Sequence, residues 1–166
     1  MKHLLILAVC LLPVAFEARA QDFTIDPHLI DRCLAINGET PMRCVGRQAD
    51  ACILRNDGGP NMVLSACMEA EAAVWDEILN RTFARVLEHA RAQEGFDIGY
   101  QPDQLTNALR SMQRAWIEYR DATCDHELSR AFPFGSAAGP AANGCLMRET
   151  ARQVFQLQFI ERSYRQ

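Results

Sequence analysis

The sequence predicts an all-α fold: a disulfide-stapled helical bundle with two long antiparallel helices, a third C-terminal helix and two short N-terminal helices. Three observations predict it. Apolar residues recur at three- and four-residue steps along two long segments. No run alternates apolar and polar residues long enough to make a strand. Six cysteines fall near the ends of the helical segments, where hairpins would bring them together.

The first twenty residues read as a signal peptide. Lys2 and His3 form a short basic start, and Leu4 to Ala15 form an apolar run of the expected length. Ala18-Arg19-Ala20 then places small residues where a signal peptidase reads, so cleavage before Gln21 is expected. The apolar run is too short to span a bilayer. Taking away Lys2, Arg19 and Glu17 leaves 15 basic and 20 acidic side chains, a net charge of −5, and every basic one is arginine. An acidic chain of this kind argues against nucleic acid and anionic membrane as partners, and favours a basic one.

Asp26-Pro27 marks the first helix start, an N-cap followed by proline in the first turn, and Asn37-Gly38 marks its stop. Thr40-Pro41 repeats the start signal, and Asn56-Asp57-Gly58-Gly59 ends a second short helix. Pro60 opens a long helix to about Ala92, with Val63, Cys67, Ala70, Val74, Ile78, Phe83, Val86 and Ala90 along its seam. A loop from Gly95 to Gln101 precedes a fourth helix, opened by Pro102. There Leu105, Leu109, Met112, Trp116, Tyr119 and Thr123 advance by alternating steps of four and three. Phe132 to Asn143 reads as a loop rich in Gly, Ala and Pro. A last helix is expected from Gly144 to Ser163, with Leu146, Thr150, Val154, Leu157 and Ile160 inward.

Cys33, Cys44, Cys52, Cys67, Cys124 and Cys145 remain after cleavage, an even set that reads as three disulfides formed in an oxidising compartment. Six cysteines allow 15 connectivities, and the helix order selects one of them. Cys33 and Cys44, Cys52 and Cys67, and Cys124 and Cys145 each flank the base of an antiparallel hairpin. Cys44 and Cys52 would sit about 80° apart around one helix, so each could face a different neighbour. Each bridge is worth on the order of 3 kcal/mol in the chain-entropy model. No CxxC or CxxCH occurs, which excludes zinc-ribbon, thioredoxin-like and c-type haem readings; neither a cofactor nor a metal site is expected.

From Cys52 to Ile160 the chain resembles the lysozyme inhibitor LprI-like family of small exported bacterial proteins. The resemblance rests on Cys67 followed by Trp75-Asp76-Glu77-Ile78-Leu79-Asn80, which fits a D-x-x-L-N element. It rests further on Gln113, Trp116, Arg120, Asp121 and Cys124, which fit Q-x-x-W-x-x-x-R-D-x-x-C, and on Cys145 with Thr150. Phe83 and Gln153 stand where the family usually has tyrosine and arginine. Residues 1–20 are then a signal peptide, 21–51 an N-terminal helical extension, and 52–166 the LprI-like domain.

Gln113, Trp116 and Arg120 share one helix face, and Asp76 and Asn80 share another. The two faces are expected to meet, with Arg120 bonded to Asp76 and its guanidinium beside an aromatic ring. Such a cluster fixes register between helices; a partner-binding or catalytic site is the sharper reading of the same residues. The better site candidate is Phe132-Pro133-Phe134-Gly135-Ser136, a constrained loop closed by Cys124–Cys145 of the sort that cleft-blocking inhibitors project. Its alternative is that the rings fold back onto the helix ends. Cys124-Asp125-His126 carries no nucleophile once the sulfur is in a disulfide.

No constellation indicates an enzyme. The resemblance implies a periplasmic or secreted binding protein whose partner is lysozyme, inhibited by steric occlusion. The other reading is a non-inhibitory envelope interaction module that docks a different exported protein. The sequence leaves the oligomeric state open.

Overall fold

The computed structural model describes residues 20–96 and 99–165, so the signal-peptide reading of residues 1–19 lies outside the described residues. The described residues form five α-helices and contain no strand. α1 (Pro27–Ile36) starts where Asp26 accepts the backbone N–H of His28 at 2.9 Å, and ends at Asn37. α2 (Arg47–Arg55) is shorter than the sequence suggested. The segment from Pro41 to Cys44 is a 3₁₀ turn, and Gly46 breaks the run with φ of 89°, which a glycine adopts without steric cost.

α3 (Asn61–Phe96) continues one turn past the expected Ala92, through Gly95. α4 is Gln104–Ala131 and α5 is Ala138–Ser163. The expected loop from Phe132 to Asn143 therefore shrinks to the 3₁₀ segment Phe132–Ala137. Pro140 fits the first turn of α5, where its missing N–H is no loss. Gly139 is there for closeness: a Cβ at this position would lie 2.8 Å from Ser65 Oγ on α3.

Contacts fix the directions. Along α5, Asn143 meets Ser65, Phe155 meets Trp75 and Glu161 meets Arg85, so α5 runs parallel to α3. Cys124–Cys145 and the bond from Gln153 Nε2 to Gln113 Oε1 (3.0 Å) run α4 against α5. α3 packs chiefly on α5, and α4 also leans mainly on α5. Trp75, Val86, Ala90, Ala151, Val154 and Leu157 are fully buried between them.

The three disulfides are Cys33–Cys44, Cys52–Cys67 and Cys124–Cys145, the set that helix order selects. One premise of that selection changes: Cys44 lies in the 3₁₀ turn ahead of Gly46, not on the helix that carries Cys52.

Two carboxylates of α3 cap other helices. Neither α2 nor α4 is capped by its own N-cap side chain. Glu71, fully buried, accepts the N–H of Gly46 and of Ala49 at 2.7 Å each, and Trp75 Nε1 at 2.9 Å. Glu94 accepts the N–H groups of Leu105 and Thr106 at the start of α4. In both cases a negative charge meets the orphan donors and positive dipole end of a helix.

At the other end of α5, buried Glu161 accepts Arg85 Nε at 3.1 Å and Arg165 Nη2 at 2.7 Å, with His89 3.8 Å away. The Arg85 hydrogen bond, and then the charges of Arg85, Arg165 and His89, outweigh burial and hold its carboxyl below the usual carboxylate range. The folded state thus binds this proton less readily than the unfolded one. The stabilisation is complete above the unfolded value of about 4.3 and is lost as pH falls through the lowered folded value. The stability difference between wild type and Glu161→Gln should therefore shrink from pH 7 to pH 3 in urea unfolding. A difference constant with pH would remove Glu161 as the linked group.

Candidate functional site

The motif residues of α3 and α4 do not meet as expected. Asp76 and Asn80 are exposed and bond to each other at 3.0 Å. Arg120 instead pairs with its neighbour Asp121 at 2.7 Å and lies over the Trp116 ring, 4.9 Å from its centroid. The reason is the packing order. α3 turns Trp75, Ile78, Leu79, Thr82 and Val86 inward, mainly onto α5, which leaves Asp76 and Asn80 on the outer side. Gln113 reaches Gln153 on α5, so the register contact of α4 is with α5. Both amides are buried, and Gln153 is one of the two positions, with Phe83, that differ from the family's usual residues.

Sequence reasoning passed over Glu71. Its signal was spacing: it stands four residues after Cys67 and four before Trp75, an acid within a core seam. Its three donors give it a structural task, and its burial denies it to any partner.

The Phe132–Ala137 segment sits between the buried Ala131 and Ala138, at the turn from α4 into α5. Phe132 and Phe134 are each 73% exposed. Gly135 takes φ of 63°, a left-handed turn that sends the chain back into α5. Three contacts hold this turn on α3. Asn61 Nδ2 donates to Ser136 Oγ at 3.0 Å, Asn143 Nδ2 donates to Ser65 Oγ at 2.9 Å, and Gly139 lies against Ser65. Cys124–Cys145 closes the hairpin behind it. Met62, next to Asn61, and Leu128, one turn before Phe132, are also exposed.

The flank is charged. Arg130 bonds Glu127 at 2.7 Å, and this bond holds the Glu127 carboxyl below the usual range. The arrangement is an apolar tip on a braced turn, suited to filling an apolar recess in another molecule. Among the described residues no group of His, Cys, Asp and Glu could hold a metal ion, and no helix is long and apolar enough to cross a membrane.

Residues 55–157 match the family model described as lysozyme inhibitor LprI. A protein of Rhizobium meliloti (strain 1021), described as uncharacterized, is 31% identical over 105 residues, which cover 61% of this chain and 74% of that one. No solved structure matches.

Proposed function

The chain belongs to the lysozyme inhibitor LprI family, and from that membership we propose that it is an exported binding protein that inhibits lysozyme by occlusion. The observation that carries the reading is the pair of exposed phenylalanines, Phe132 and Phe134, on a turn braced against α3. An apolar tip that is ordered before binding loses little conformational freedom on entering a cleft. Three disulfides support an oxidising destination outside the cytoplasm, with signal cleavage after Ala20 as part of the proposal. The net charge of −5 expected for the cleaved chain complements a basic enzyme and would steer its approach.

The test is lysozyme inhibition at two salt concentrations. Stoichiometric inhibition weakened by salt is expected. Phe132→Ala and Phe134→Ala should each weaken binding by about 2 kcal/mol, roughly thirtyfold, with the melting temperature unchanged. A double variant that inhibits as wild type would place the contact elsewhere. No inhibition at micromolar protein would reject the inhibitor and favour a module that docks another envelope protein.

A further inference from the structure

A groove of about 500 Å³ runs between α1 and α2, well separated in sequence from the Phe132–Phe134 turn. Its size falls within the range of small-molecule sites, about 300–1,000 Å³. Leu29, Ile30 and the Cys33–Cys44 disulfide give it an apolar floor, exposed Ile36 stands at its rim, and Arg32 and Arg47 are among the lining residues.

We propose that this groove binds a single-chain fatty carboxylate, with the acyl chain along Leu29, Ile30 and Ile36 and the carboxylate held by Arg32 and Arg47. Charge selects this occupant. The chain carries more acidic than basic side chains, yet no carboxylate lines the groove. Arg81, Arg85, Arg120, Arg130, Arg152 and Arg165 each reach a carboxylate within 4.0 Å. Among the described residues Arg32 and Arg47 have no such partner, although Asp31 and Asp50 lie close in sequence; seven other arginines share this, and what marks Arg32 and Arg47 is that both line the apolar groove.

Two unpaired guanidinium forks beside an apolar trough match a carboxylate head on an alkyl tail. Ile36, 83% exposed, is then the side chain the tail would cover. The groove precedes residue 55, where the family match begins, so lysozyme inhibition does not account for it. The proposal stands apart from the inhibitor reading.

The experiment is calorimetric titration of the disulfide-bonded chain with dodecanoate, dodecanol and lysophosphatidylglycerol, all below their micelle concentrations. Saturable one-to-one binding of dodecanoate is expected, at least tenfold tighter than dodecanol and tighter than the lysophospholipid. The double variant Arg32→Gln with Arg47→Gln should weaken dodecanoate binding by at least tenfold without moving the melting temperature. Ile36→Asp, at an exposed position, should weaken it as well. Dodecanol binding as well as dodecanoate, or the arginine variant binding as wild type, would overturn the anion site. Tighter binding of the lysophospholipid would overturn the carboxylate assignment, and no binding of dodecanoate would overturn the site altogether.

Discussion

Glu71→Leu is expected to destabilise the fold by about 3–5 kcal/mol, because three buried donors lose a charged acceptor. The carboxylate satisfies the N–H groups of Gly46 and Ala49 and the indole N–H of Trp75, and leucine satisfies none of them. Each orphaned buried donor costs about 1–3 kcal/mol, and the loss is limited by how far α2 can shift to find water. Glu71→Gln keeps the volume but turns one acceptor into a donor facing other donors, so it should cost about 2 kcal/mol. Glu69→Gln, two residues away and exposed, serves as the control and should stay within about 0.5 kcal/mol of wild type. Urea unfolding measures all three. Wild-type stability in Glu71→Leu would mean that the carboxylate does not cap α2.

Trp75→Ala should cost about 3–5 kcal/mol, the usual loss for a fully buried large aromatic. Trp75 is completely buried and meets Phe155 edge to face, with ring centroids 5.6 Å apart. Deleting it opens a cavity between α3 and α5, the principal interface of the bundle. Trp75→Phe keeps most of the packing and removes the donor to Glu71, so it should cost less, about 1–2 kcal/mol. Combining Trp75→Phe with Glu71→Leu should give less than the sum of the two losses, because both remove the same hydrogen bond. Strict additivity would show that this bond contributes nothing.

What could be read from the sequence was local and periodic. The α4 seam from Leu105 to Thr123 follows from spacing alone, and it faces the core except at Tyr119, which is 60% exposed. The cysteine pairs follow from helix order, since a hairpin needs only a turn to bring its ends together. The errors arose where one helix answers to another. Gly139 and Pro140 look like a loop until the approach of Ser65 supplies a reason for the glycine. The assignment of Arg120 to Asp76 assumed that α3 and α4 share the main interface, whereas α5 takes that place. Periodicity says which residues of a helix face inward, and leaves open which neighbour they face. Of the candidate site, Phe132 and Phe134 could be named from sequence, but their exposure could not, because spacing does not give the way the turn packs on its neighbours.

The Glu71 cap has a consequence for anyone dissecting this protein. Its carboxylate belongs to the matched region that begins at residue 55, while the backbone it caps lies before that boundary. Cys67 is tied across the same line to Cys52. A truncation at residue 55 would leave a solitary anion and an unpaired thiol in the exposed scar. Such a fragment would behave as a damaged molecule, and its weakness or oxidation would say little about an independent domain. Clean separation requires Glu71 and Cys67 to be replaced in the same step as the cut.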